Sequence, residues 1–263
     1  MRKLMMLAIA IMLELFSTSV ASATPIGVIS ISSPVGGGIT LSATLIDFIQ
    51  PAGAGFGDFA TGTPTVVNWS GGTLTALTNS FGRVGDINLL GGGTLPNFLQ
   101  FYVGGTAPFP PGNGTLQMFP VFDLSGVAPG GAAQGALNNC AGVTAVGVSC
   151  SPLITSAGGA FVSPLVLTNR GAFTEVSFGV NLLGRDATGS TTWVGGFTTQ
   201  FIGLTPDAIQ SLLNAGGSIT NTYSGTFANS SAPGIPEPAS LLLLSSGLAG
   251  LAGYWRRFGQ KLT

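Results

Sequence analysis

Few side chains in this 263-residue chain can perform acid–base or nucleophilic chemistry. The chain has no histidine, and this removes the commonest general base and the usual partner of a nucleophilic serine or cysteine. Between its terminal segments lie seven acidic residues, which are far apart in sequence, so no local pattern marks the carboxylate pair that a glycosidase needs. We therefore predict a protein that is not an enzyme and uses no cofactor. An envelope hydrolase that works with carboxylates is the third-ranked alternative.

Two aspartates are the best candidates for a calcium site, because loop oxygens are the ligands that this cation prefers. Asp58 lies in GFGDFATG and Asp86 lies in RVGDINLLGGG. Neither has the clustered acidic spacing of a calcium-binding loop, and solvated turn aspartates are the favoured interpretation. With two cysteines and no histidine, a zinc site would need carboxylates for its other ligands. We predict no metal site.

The two cysteines, Cys140 and Cys150, lie close together in NNCAGVTAVGVSC. In an exported chain such a pair predicts a disulfide that closes a short loop. Loop-closure entropy gives this bond a stabilising contribution of about 2.5–3 kcal/mol.

Aromatic side chains are the basis of a second functional alternative, a carbohydrate-binding module that stacks sugar rings on exposed residues. The candidates are Trp69, Tyr102, Trp193 and Tyr223. Trp193 and Tyr223 share the sequence parity of Phe197 and Phe227, which favours core packing for both.

Three segments near the end of the body alternate between apolar and polar residues, as strands with one packed face do. They are residues 174–183, 190–201 and 218–228. The loop at 184–191 is rich in Gly, Asp, Ser and Thr and suits a hairpin. We predict that the three strands are neighbours in one antiparallel sheet, with these residues buried: Val176, Phe178, Phe197, Phe201, Tyr223 and Phe227.

A short helix is predicted between the second and third of these strands. Thr205 suits the N-cap, Pro206 the first turn and Gly216 the end of the helix. Upstream, less regular apolar runs such as IGVISI and FLQFYV predict further strands, whereas PAGAGFGDFATGTP and similar runs predict loops.

The composition indicates a folded β protein. Glycine supplies 42 residues, but 17 phenylalanines and many alternating patterns can bury apolar surface, unlike a disordered chain. Many short strands between Gly/Pro turns predict a mainly β fold, an antiparallel β-sandwich or jelly-roll-like body with one short helix. The body has three arginines, no lysine and a net charge of −4, which argues against nucleic acid as a partner.

The first 23 residues have the pattern of a secretory signal peptide. Arg2 and Lys3 precede an apolar run, and the segment closes with Ala21-Ser22-Ala23. We predict a signal helix that engages the secretion translocon, with cleavage after Ala23.

The C-terminal segment combines a proline-rich motif, an apolar run and a basic end. Pro236-Glu237-Pro238 precedes 17 uncharged residues at 239–255, which would be about 25 Å long as a helix and can serve as a transmembrane helix. Arg256 and Arg257 would stop transfer and stay cytoplasmic. The predicted domains are therefore a signal peptide at 1–23, a β body at 24–232 and a sorting segment at 233–263.

This ordered combination resembles the PEP-CTERM sorting signal of Gram-negative bacteria. The resemblance covers about residues 233–263 and implies that exosortase, a membrane cysteine protease or transpeptidase, recognises Pro236-Glu237-Pro238 and releases the body. It implies a transient single-pass intermediate in the inner membrane, followed by the cell envelope or extracellular space.

Members of that family typically come from bacteria that make exopolysaccharide, and their bodies are diverse. The leading hypothesis is an exported, non-catalytic surface or extracellular-matrix protein of the biofilm, with exopolysaccharide as a candidate partner.

Overall fold

The computed structural model describes residues 25–49, 56–69, 72–75, 81–90, 94–103, 115–156 and 159–230. Within these ranges the chain forms β-strands, one α-helix and one 3-10 turn, Gly131–Gln134. The helix α1 is Pro206–Asn214. The strands are β1 (Ile26–Ser32), β2 (Gly38–Leu41), β3 (Leu45–Ile49), β4 (Phe56–Trp69), β5 (Gly72–Thr75), β6 (Phe81–Gly85), β7 (Ile87–Asn88), β8 (Leu95–Val103), β9 (Thr115–Val127), β10 (Ser149–Cys150), β11 (Leu153–Ser156), β12 (Gly159–Val162), β13 (Val166–Asn169), β14 (Phe173–Arg185), β15 (Ser190–Ile202), β16 (Ile219–Asn221) and β17 (Ser224–Asn229).

Eight strands of a larger sheet close into an antiparallel barrel. The order is β14-β15-β17-β1-β4-β6-β8-β9, and β9 pairs with β14 as well as with β8. The predicted sandwich or jelly-roll is therefore wrong, although the fold is mainly β with one α-helix among the described residues. A strand in a barrel and a strand in a sandwich both have one packed face, so their alternation is the same. The closing β9–β14 pair joins distant parts of the chain, and local patterns do not encode it.

Glycines inside the barrel lie opposite aromatic rings. Phe59 faces Gly82 across β4 and β6, and a Cβ on Gly82 would stand 2.3 Å from the Phe59 ring. Phe227 faces Gly195 across β17 and β15, where a Cβ would stand 2.6 Å from that ring. Alternating large and small residues let side chains fill the interior of a small closed barrel. This packing explains why Gly82 and Gly195 lie within strands.

The prediction for the three late strands is confirmed for the barrel. β14, β15 and β17 are adjacent and antiparallel, and all six residues expected in the core are buried. One detail differs, because the third segment is divided. Its first part is β16, which pairs with β2 in another sheet, and only β17 joins the barrel.

Two smaller sheets accompany the barrel. The four-stranded sheet has the order β16-β2-β3-β7, and β11 pairs with β12. Phe48 of β3 packs on the barrel core, with its ring centroid 4.9 Å from that of Phe197 and 5.1 Å from that of Tyr223. β13 and β10 extend the barrel sheet outward from β14.

The predicted helix is confirmed at α1. The Thr205 hydroxyl accepts a hydrogen bond from the Ala208 N–H at 3.2 Å, which makes Thr205 the N-cap. Gly216 lies just beyond the helix with φ +78°.

The predicted loop at GFGDFATG is wrong, since β4 runs through it. The hairpin loop after β14 is confirmed, with Asp186 accepting from the N–H groups of Thr188 and Gly189.

Both predicted terminal helices lie outside the described residues, the signal at 1–23 and the transmembrane segment at 239–255. Within the described ranges, no helix has the length and apolar character needed to cross a bilayer.

Candidate functional site

A polar groove lies on the outer face of β14, β15 and β17. Trp193, Phe197 and Phe201 of β15 are buried in the core, so the residues that alternate with them face outward. Register places Ser177 of β14 beside Thr198 of β15, and Thr198 beside Ser224 of β17. These hydroxyls therefore lie side by side on three neighbouring strands.

The groove consists of two adjoining hollows that share Thr198 and Ser224. The first has a volume of about 350 Å³, and its lining includes Gly179, Gly196 and Thr226. The second has a volume of about 390 Å³. Its lining includes hydroxyl and amide side chains, those of Thr198, Gln200, Asn221, Thr222 and Ser224. Each volume is in the range of small-ligand sites.

Several polar groups in the groove keep unused hydrogen-bonding capacity. The hydroxyls of Thr198 and Ser224 are 2.8 Å apart and share one hydrogen bond. Asn221 donates its amide to the Gln200 carbonyl, and its own side-chain oxygen accepts from the Thr222 N–H at 2.8 Å. Among the described residues, the Gln200 amide and the Thr222 and Thr226 hydroxyls have no side-chain partner. The groove therefore presents both donors and acceptors.

None of the described residues that line the two hollows is charged. The nearest charge along β14 is Glu175, which pairs with Gln200 across the strands. Arg170 donates to the Glu175 carboxylate at 3.0 Å, so this charge already has an opposite partner. Ile202, at the end of the second hollow, is 85% exposed and adds an apolar contact surface. The groove is thus uncharged, with a mainly polar second hollow and a first hollow that exposes more apolar than polar surface.

The groove does not follow from the sequence pattern alone. Alternation in TTWVGGFTTQF predicts one solvent-exposed face. Only the three-dimensional register shows which outward residues of β14, β15 and β17 become neighbours. The signal that was present is the absence of charge at the outward positions between Val194 and Ile202.

The calcium candidates do not come together in a loop. Asp58 lies within β4 and is 7% exposed, and its carboxylate accepts a hydrogen bond from Tyr102 at 3.4 Å. Burial, the charge of Asp58 and this hydrogen bond raise the pKa of Tyr102. Asp86 accepts from the Phe48 N–H at 2.8 Å. Among the described residues, no three acidic or sulfur ligands cluster to hold a metal.

Asp86 also has an acidic neighbour. Burial raises its pKa, the hydrogen bond from Phe48 opposes this, and the charge of Asp47 raises it further. Neither carboxylate lines the groove. Another acidic residue, Asp123, is paired with Arg185.

The predicted disulfide is present between Cys140 and Cys150, with Cα atoms 5.2 Å apart. Gln210 of α1 is 7% exposed and connects the helix to the disulfide loop. Its side-chain oxygen accepts from the N–H groups of Cys140 and Leu153, both at 2.8 Å. Asp207 accepts from the Gly142 N–H at 2.7 Å. The disulfide, loop and helix therefore form one cross-linked unit beside the barrel.

The aromatic candidates do not form a stacking surface in the described part of the chain. Trp193 is fully buried and Tyr223 is 4% exposed, as their parity predicts. Tyr102 is half-buried beside Asp58, and the side chain of Trp69 lies outside what is described. A sugar site on this body would depend on polar contacts rather than on those rings.

The predicted sorting motif lies outside the described residues, but comparison with known families identifies it. Residues 234–257 match the PEP-CTERM protein-sorting motif. The match contains Pro236-Glu237-Pro238 and extends to Arg256 and Arg257. The motif marks an exported protein that is a substrate of exosortase, a membrane enzyme. No curated protein and no solved structure matches the chain.

Proposed function

We propose that this exosortase-sorted, exported protein is a non-catalytic structural or adhesive component of the cell surface or extracellular matrix, associated with exopolysaccharide in a biofilm. The observation that carries the proposal is the sorting motif at 234–257. In the proposed route, the translocon exports the chain, the segment at 239–255 holds it briefly in the inner membrane, and exosortase releases the body.

The chemistry of the described body supports a non-catalytic function. Several carboxylates are committed to structural contacts, as Asp123 is with Arg185, Glu175 with Arg170 and Asp207 with the disulfide loop. A disulfide and a tightly filled barrel favour persistence outside the cell, where the oxidising environment keeps the disulfide formed.

The hydrolase alternative can be tested at Asp47 and Asp86, two described carboxylates whose charges interact. Retention of the protein's matrix function in an Asp86→Asn variant would argue against that alternative. Loss of an envelope hydrolase activity in the same variant would argue for it and against the proposal.

Matrix fractionation tests the proposal. Biofilms of the producing strain and of a mutant that makes no exopolysaccharide are separated into cells, matrix and medium, and the body is detected with an antibody. The proposal predicts that the protein is enriched in the matrix of the producing strain and moves to the medium in the mutant. An identical distribution in both strains would overturn the exopolysaccharide association.

A further inference from the structure

The polar groove offers chemistry that suits a polymer of hydroxyl groups. Thr198 and Ser224 share one hydrogen bond, so one of their two O–H donors and most of their acceptor lone pairs stay available. The Gln200 amide and the Thr222 hydroxyl, both exposed, add further donors and acceptors. Sugar hydroxyls also donate and accept, and each can therefore satisfy the groups that face it.

The lack of charged residues in the described lining of the groove favours a neutral polymer. A site for an acidic polysaccharide would be expected to present arginine or lysine, and the described lining of the two hollows contains neither residue. A site for a cationic polymer would present carboxylates, and the adjacent Glu175 is already paired with Arg170. A neutral chain meets no uncompensated charge in this groove.

The shape of the groove also favours a chain over a single small molecule. The hollows follow β15 from Gly196 to Ile202, a distance of about 20 Å along an extended strand. Gly179 and Gly196 lie opposite each other and have no side chains, which deepens the first hollow. The exposed side chain of Ile202 can cover the apolar face of a sugar ring at the other end.

We propose that this groove binds one strand of a neutral polysaccharide through the side chains of Thr198, Gln200, Thr222 and Ser224. This inference rests on the proposed matrix function and deepens it, because it names the contact surface and the class of glycan.

The chain contains a matched control for the hydroxyl pair. On β2 and β16 of the four-stranded sheet, Thr40 and Thr220 also have hydroxyls 2.8 Å apart in an exposed cross-strand pair. The test compares three variants with the original protein: T198V/S224A, Q200A and the control T40V/T220V. Thermal unfolding of each variant checks that the fold is retained.

Binding is measured with the secreted protein by affinity electrophoresis in native gels that contain dextran, glucomannan or alginate. We expect retardation by at least one of the two neutral polymers, unchanged by added salt because no ion pair is involved. T198V/S224A and Q200A should each bind about fivefold to tenfold more weakly, whereas T40V/T220V should bind as the original does.

Three results would overturn the proposal that the groove binds a neutral polysaccharide. They are no retardation by either neutral polymer, retardation by alginate alone, or equal binding by the groove and control variants. Light scattering, which measures the oligomeric state, gives a fourth such result. A dimer that the groove variants disrupt, without glycan binding, would show that the groove binds a second copy of the chain instead. If the protein is enriched in the matrix but the groove variants bind the neutral polymers as the original does, the site is refuted and the proposed function stands. Groove-dependent binding without matrix enrichment would refute the proposed function instead.

Discussion

The inside and the outside of the barrel are built from the same strands but have different chemistry. The inner face of β15 carries Trp193 and Phe197, which are almost completely buried, and the outer face carries Thr198 and Gln200, which are exposed. Aromatic rings packed against glycines leave little freedom inside, whereas the outer residues share few contacts. We conclude that the inside determines stability and that the outer face can change its chemistry at little cost to the fold.

The largest effect is expected from Phe197→Ala. Phe197 stacks on Phe178 with ring centroids 5.0 Å apart and contacts Phe227 at 5.2 Å, so truncation leaves a cavity at the centre of the core. We expect the free energy of unfolding in urea to fall by about 3–5 kcal/mol. Thr226→Ala, on the outer face of β17, is the control and should change it by less than about 0.5 kcal/mol. Equal losses in both variants would contradict the comparison.

The disulfide beside the barrel should contribute less than the core. A C140S/C150S double variant should lose about 2.5–3 kcal/mol of unfolding free energy, because the unfolded chain gains loop entropy. Peptide mass spectrometry without reduction should find Cys140 linked to Cys150 in the secreted protein. Complete alkylation of both thiols in the native secreted protein would contradict the bond.

The glycine–aromatic packing predicts a smaller loss for one added methyl group. A Cβ on Gly195 would stand 2.6 Å from the Phe227 ring and 2.2 Å from the Thr226 carbonyl oxygen, so Gly195→Ala must displace both and should cost about 1–3 kcal/mol. Gly126 of β9 has no atom within 4 Å of the position of an added Cβ, and Gly126→Ala should be nearly neutral. Thermal unfolding of both variants measures the difference, and similar melting temperatures would show that this packing is not tight.

The smallest effect is expected from the ion pair on the closing β9–β14 seam. Burial would raise the pKa of Asp123, but hydrogen bonds from Arg185 and the Asn97 N–H, together with the Arg185 charge, lower it. Ionised Asp123 therefore stabilises the fold at pH values above its unfolded pKa of about 3.9. This stabilisation is lost as the pH falls through its lower pKa in the folded protein.

Because the Arg185 side chain is 40% exposed, Asp123→Asn should lower the free energy of unfolding at pH 7 by only about 0.5–1 kcal/mol. Urea unfolding at several pH values should show this difference shrinking below about pH 4. A difference that grows on acidification would have the wrong sign for this pair.

How much the sequence predicts depends on whether a feature is local. The N-cap at Thr205, the hairpin after β14, the disulfide and the sorting motif at 236–238 each follow from residues close together in the chain. Closure of the barrel does not, because it depends on β9 reaching β14. The strand through Asp58 was also not predicted, because the glycine-rich sequence around it favours a loop. The contact that places this segment in a strand, Phe59 opposite Gly82 of β6, joins residues far apart in the chain. The groove requires the registers of three strands at once.

The most direct test of the central claim replaces Pro236-Glu237-Pro238 with three alanines. Export should continue, because the N-terminal signal is untouched, but a full-length form should remain in the membrane through the apolar segment at 239–255. Cells are fractionated and probed with an antibody to the body, and cells that lack exosortase should retain the original protein in the same way. If the triple-alanine variant instead reaches the extracellular fraction at its normal size and yield, the sorting account is contradicted.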